Sequence, residues 1–142
     1  MEIPDIRRRV RAAIEQARRD AASRRERSDA AARAYDEFLV QRAIPAFTTV
    51  AAALVAEGYR FKVHTPAGAV RLVSERSADD FVELTLESGD DPPFVLGRAS
   101  AGRGRRAITK ERPVREGVGP ESLTDEDVVA FILSEVVPLI ER

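Results

Sequence analysis

The chain has 142 residues, 44% of them apolar and 33% charged, with a formal net charge of −1. That length buries one core rather than two, and the composition is that of a globular domain. The absence of cysteine excludes disulfides, thiolate metal sites and a cysteine nucleophile.

The near-neutral sum hides a gradient. Residues 1–28 hold nine Arg against five acids, a net of about +4, whereas residues 117–142 hold one Arg against six acids, about −5. Only Lys62 and Lys110 of the 23 basic residues are lysine. No apolar segment follows the basic start, so a secretory leader is not expected. The weakly polar run 43–56 is short and contains Pro45, which argues against a membrane span. The expectation is a cytoplasmic protein without membrane contact.

Residues 5–57 read as one long helical segment. Pro4 suits a first helical turn, and Asp5 complements the positive end of the helix dipole. No Gly or Pro interrupts the run until Pro45, and Ala, Arg and Glu dominate it. Either Ser28 or Asp29 could cap a second helix. The chain is therefore divided into an Arg/Ala-rich helical extension, 1–30, and an α+β domain, 31–142. The domain is read as helix 31–57, strands within 59–112, linker 113–123 and helix 124–140.

Ile6, Val10, Ala13, Ala17, Ala21, Ser28, Ala31, Tyr35 and Phe38 fall near a three–four repeat. This suits either a helix pair between two copies or a solvated Ala-rich helix. Tyr35, Phe38, Leu39, Ile44, Phe47, Val50, Ala51, Leu54 and Val55 then make a broad apolar face that belongs in the core. Pro45 is expected to kink or restart the helix, and Gly58 to end it in a left-handed cap.

Residues 59–65 alternate, with Tyr59, Phe61, Val63 and Thr65 on one face and Arg60, Lys62 and His64 on the other. This is a half-buried strand. A turn at 65–68 leads to a second strand at 69–74. The third, 80–87, points Val82, Leu84 and Leu86 inward. A fourth at 94–100, a flexible turn at 101–104 and a fifth at 105–112 complete a five-stranded antiparallel meander with one dry face. Thr124 reads as the cap of the last helix, with Asp125, Glu126 and Asp127 in its first turn. That helix is apolar on more than one stripe, which implies a second apolar partner besides the sheet, and Pro138 is expected to distort or end it. The predicted fold is thus α+β, with both helices on one face of the sheet.

The chemistry is sparse. His64 is the sole histidine, so neither a typical transition-metal site nor a triad is indicated. The acidic pairs at 79–80 and 90–91 lack the spacing of a calcium loop. The Gly102–Arg106 stretch is not a P-loop, because no Gly-Lys-Ser/Thr ending or helix follows. No catalytic residue, cofactor or metal is expected. The function expected is a non-catalytic interaction or adaptor domain, homodimeric through its helices, with Phe131, Leu133, Val136, Val137, Leu139 and Ile140 at the interface. One alternative is nucleic-acid binding through Arg7, Arg8, Arg11 and Arg18 of the first helix and through the basic cluster 98–115, chiefly Arg103, Arg105, Arg106 and Lys110. Another is a small-ligand pocket between sheet and helices. The element order is common among small adaptor domains, and a shared fold transfers no function.

Overall fold

A computed structural model describes residues 2–141; Met1 and Arg142, which end the two predicted units, lie outside it. Its dominant feature is a helix that runs without a break through 54 residues. The first part, α1 (Ile3–Phe38), passes through Ser28-Asp29 as ordinary helix. The cap expected there does not form, because the backbone bonds of the continuing helix leave no free N–H for it. A π turn (Leu39–Ala43) follows, and α2 (Ile44–Ala56) completes the helix.

The π turn is the local answer to Pro45. Proline lacks an N–H, and its ring collides with the carbonyl four residues back. Widening the preceding turn by one residue relieves that collision without ending the helix. The extra residue also rephases the helix. Buried positions on α1 step through Tyr35 and Phe38; the next is Ala43, five residues on, and then Phe47, Val50 and Leu54. A plain α-helix would have put Arg42, Pro45 and Thr49 on that face, and all three are exposed. Val55, expected in the core, is exposed, because within α2 it stands about a quarter turn or more around the helix from Phe47, Val50 and Leu54.

Gly58 (φ +93°) ends α2 as expected. The Tyr59 N–H donates to the Leu54 carbonyl at 2.8 Å, and the Gly58 N–H to that of Val55 at 3.0 Å. These are the two bonds of a Schellman cap.

Five strands follow in antiparallel order, β1 (Phe61–His64), β2 (Val70–Ser74), β3 (Phe81–Glu87), β4 (Phe94–Arg103) and β5 (Arg106–Pro113), each paired with the next. β4 runs on through the expected flexible turn and closes on β5 through Gly104 (φ +62°) and Arg105, with Arg103 opposite Arg106. The register aligns Val63 with Leu72, Leu72 with Val82 and Val70 with Leu84. Leu84 in turn aligns with Gly97, and Leu86 with Val95. These residues form the helix-facing side. α3 (Asp125–Ile140) lies over β3 and β4, beside α2, which lies over β1 and β2. The second apolar partner implied by its greasy sequence is therefore α2 of the same chain.

Phe131 and Val136, expected at an intermolecular contact, are buried in this core; they fill the space between α3 and the sheet. Phe131 lies on Gly97 so closely that a Cβ there would stand 2.1 Å from its ring. Pro138 does not end α3, which continues to Ile140. In the last turn proline removes a single backbone bond, so the helix tolerates it. An 18-residue window of the long helix has a mean hydropathy of 1.6, high enough for a membrane-crossing segment. Its apolar side is spent on the sheet, with Ala43, Phe47, Val50 and Leu54 in the core, and that suits the core helix of a soluble domain.

Thr124 caps α3. Its hydroxyl accepts from the Asp127 N–H at 3.1 Å, and the Asp127 carboxylate accepts from the Thr124 N–H at 2.9 Å. That backbone hydrogen bond is the main reason the Asp127 carboxyl lies below the usual carboxylate range, with Arg115 adding to it.

Two outcomes are expected. Gly97→Ala should destabilise the fold by about 1–3 kcal/mol, the usual cost of overpacking a full core, and adding Phe131→Leu should recover part of it in urea titrations. Thr124→Ala should cost about 1 kcal/mol and raise the Asp127 pKa only part of the way toward its ordinary value in an NMR titration, because the side-chain bond is lost while the backbone N–H bond remains. Because the folded pKa is depressed, this cap's pH-linked stability is present above about pH 4, near the unfolded carboxyl value. It is lost as pH falls through the folded value.

Candidate interaction surface

The first third of the long helix is an arm. Every described residue before Ala21 is exposed. Its polar side is held by short-range pairs: Asp5 with Arg8, Gln16 donating to Asp20 at 2.9 Å, and Arg19 donating to Gln16 at 2.9 Å. Its other side carries Ile3, Ile6, Val10 and Ile14, all exposed. The sequence reading found Ile6 and Val10 but continued the seam through Ala13. Ile14, four residues past Val10 and on the side of Ile3, belongs to the same apolar face. Further along, the same face turns inward at Ala21, Ser28 and Ala31 and is buried at Tyr35.

Two contacts fix where the arm leaves the body. The Tyr35 hydroxyl donates to the Gly68 carbonyl at 2.7 Å, tying α1 to the β1–β2 turn, and burial pushes its pKa upward. Arg27 grips Asp91 in the β3–β4 loop with two bonds, Nε to Oδ1 at 3.0 Å and Nη2 to Oδ2 at 2.7 Å. The hydrogen bond from Arg27 holds the Asp91 carboxyl below the usual range and raises the pKa of Arg27 itself.

The six residues expected at the C-terminal interface separate. Phe131 and Val136 belong to the core, Leu139 and Ile140 are half-buried, and Leu133 and Val137 face solvent. Val40, Val55 and Tyr59 are further exposed apolar side chains that the sequence reading did not place on the surface.

The second basic cluster is dispersed by the β alternation. Arg98 lies on the sheet face away from the helices, where it and Arg71 hold the buried Glu83 at 3.0 and 2.7 Å. Both guanidinium groups overlie Phe81. Lys110 and Arg112 lie on the helix side around the buried Glu135. Arg112 donates to Oε1 at 3.1 Å and to the Ser134 hydroxyl at 2.8 Å, and overlies Phe131. Lys110 Nζ stands 3.1 Å from Oε2, a charge contact outside hydrogen-bond geometry. Arg115 lies 3.6 Å from Asp127. Arg103, Arg105 and Arg106 are exposed at the β4–β5 turn. On the arm, Arg8 is engaged by Asp5, whereas Arg7, Arg11 and Arg18 have no side-chain partner among the described residues.

A concavity of about 780 Å³ forms an open cleft at one end of the sheet, between β1, β2 and the last turn of α3. Arg60, Arg76, Ser74 and Ser77 give it donors, Glu75 and Asp80 add acids, and Tyr59, Phe61, Leu139 and Ile140 give it apolar walls. His64 is exposed at the end of β1. Among the described residues, no group of three or more His, Cys, Asp or Glu side chains could hold a metal ion.

Comparison with known proteins adds no family: no family model matches the chain, and neither a curated protein nor a solved structure does.

If the Arg27–Asp91 grip orders the root of the arm, Asp91→Ala should speed amide hydrogen exchange over residues 18–30 and leave residues 43–56 as protected as before. Unchanged exchange at the root would show that helix propensity alone orders it.

Proposed function

We propose that the chain is a non-catalytic interaction module that associates with a second copy of itself through its helices. The observation that supports this is the bare apolar stripe of the arm. Ile and Val are poorer helix formers than Ala, so Ile3, Ile6, Val10 and Ile14 do not serve the helix itself. Their common feature is a shared face, and a contiguous apolar strip rimmed by charge is typical of a contact surface. The exposed Leu133 and Val137 of α3 add a second such patch.

Nucleic-acid binding is the second reading, favoured by Arg7, Arg11 and Arg18, which have no side-chain partner among the described residues, and by the exposed turn at Arg103, Arg105 and Arg106. It predicts binding that weakens steeply with salt.

Light scattering on a sizing column, read at 260 and 280 nm, separates the two. A dimer mass with a protein-like absorbance ratio is expected, and Val10→Asp should return it to a monomer with unchanged circular dichroism. A monomeric wild type would overturn self-association. A nucleic-acid-rich peak that clears in high salt would move the function to the arginines.

A further inference from the structure

We infer that the arm of each copy lies along the outer side of α3 in the other, so that two copies exchange arms. This rests on the self-association proposed above and adds which surfaces meet. The stripe Ile3–Ile14 spans eleven residue steps, about 16 Å of helix at 1.5 Å per residue, with its four side chains between 42 and 73% exposed. On α3, Ala130, Leu133 and Val137 form an outward row at helical spacing, Leu133 and Val137 being 46 and 44% exposed. That row spans seven residue steps, about 10 Å, enough to cover Ile6, Val10 and Ile14 in part, and Glu126 and Glu141 continue the same helical line at its two ends.

Charge selects between the ways of covering the stripe. Pairing arm with arm sets about +4 against about +4, and pairing α3 with α3 sets about −5 against about −5. Only the mixed pairing joins opposite signs. The individual groups agree with the sums. Arg7, Arg11 and Arg18 lack partners on the arm, and Glu121, Glu126 and Glu141 lack them around α3, among the described residues. The neighbouring acids are already engaged: Asp125 with Arg42, Asp127 with its cap, and Glu135 with Arg112. A helix with no break before the π turn cannot fold back on its own α3, so the contact comes from another copy. Making it reciprocally closes a two-fold dimer.

The cysteine-free sequence allows a clean test. Val10→Cys and Val137→Cys are made as single variants and oxidised mildly, each alone and as an equimolar mixture, with Leu133→Cys as a second α3 position. The expected result is a disulfide dimer at least tenfold more abundant in a mixture than in either variant alone. Efficient crosslinking of Val10→Cys by itself would mean arm–arm pairing and overturn the inference while self-association stands. A light-scattering dimer that crosslinks in no combination does the same. A monomeric wild type removes both. A second arm of the test reverses charge: Arg11→Glu with Arg18→Glu should weaken the dimer at least tenfold, and adding Glu126→Arg with Glu141→Arg should restore it. If the arm instead serves an acidic bilayer, the unmodified chain will sediment with phosphatidylglycerol vesicles as a monomer, which also overturns the inference.

Discussion

A helix of 54 residues is roughly 80 Å long at 1.5 Å per residue, while the longest strand of the sheet it serves has ten residues, roughly 33 Å. This mismatch governs the molecule. No arrangement on so small a sheet can cover such a helix, so one end must overhang. The end that overhangs is the basic one, rich in good helix formers and short-range charge pairs that sustain it without tertiary support. The end that packs is nearly free of charge. The π turn lies at the border and rotates the packed end so that its apolar residues meet the sheet.

The second structural principle is that charge substitutes for apolar contact where the core runs out. On the helix-facing side, β1 to β4 present aliphatic residues, but β5 presents Lys110 and Arg112. Their counterpart is Glu135, which α3 brings down beside Phe131. The opposite face repeats the device around Glu83. In both places a buried carboxylate is held by two cations, and a guanidinium lies over a phenylalanine ring. Leaving either carboxylate without its partners would be costly, so these arginines belong to the architecture rather than to a binding patch.

Much of this was legible in the residues. Alternation at 61–64 and 82–86 revealed the sheet and its dry face, and the Thr124 cap and Gly58 stop were readable because each needs only local geometry. The π turn was visible in principle as a five-residue step from Phe38 to Ala43 between two otherwise regular stripes. Reading the stripes as one broad face concealed it and misplaced Val55. The basic cluster at 98–115 misled for a different reason. Proximity in sequence says little across a hairpin, where Arg98 and Arg112 are assigned to faces by register, and register depends on pairing. For the candidate interface the sequence supplied the apolar positions of α3 but not their depth. Phe131 and Leu133 are equally greasy, and only the packing of α2 beside α3 separates core from surface.

β5 is the last strand of an open sheet, and residues 106–112 are exposed along their whole length. Such an edge offers unpaired backbone groups to any passing strand and is the usual starting point of sheet-to-sheet polymerisation. Here it carries Arg106, Lys110 and Arg112, with Arg105 at its turn, against a single Glu111. Bringing two of these edges together would crowd like charges along a shared seam. The opposite edge, β1, has only four residues and carries Lys62 and His64 on one face. Growth by strand addition is thereby discouraged at both ends, so crowding this molecule should leave it dispersed rather than drive it into fibrils.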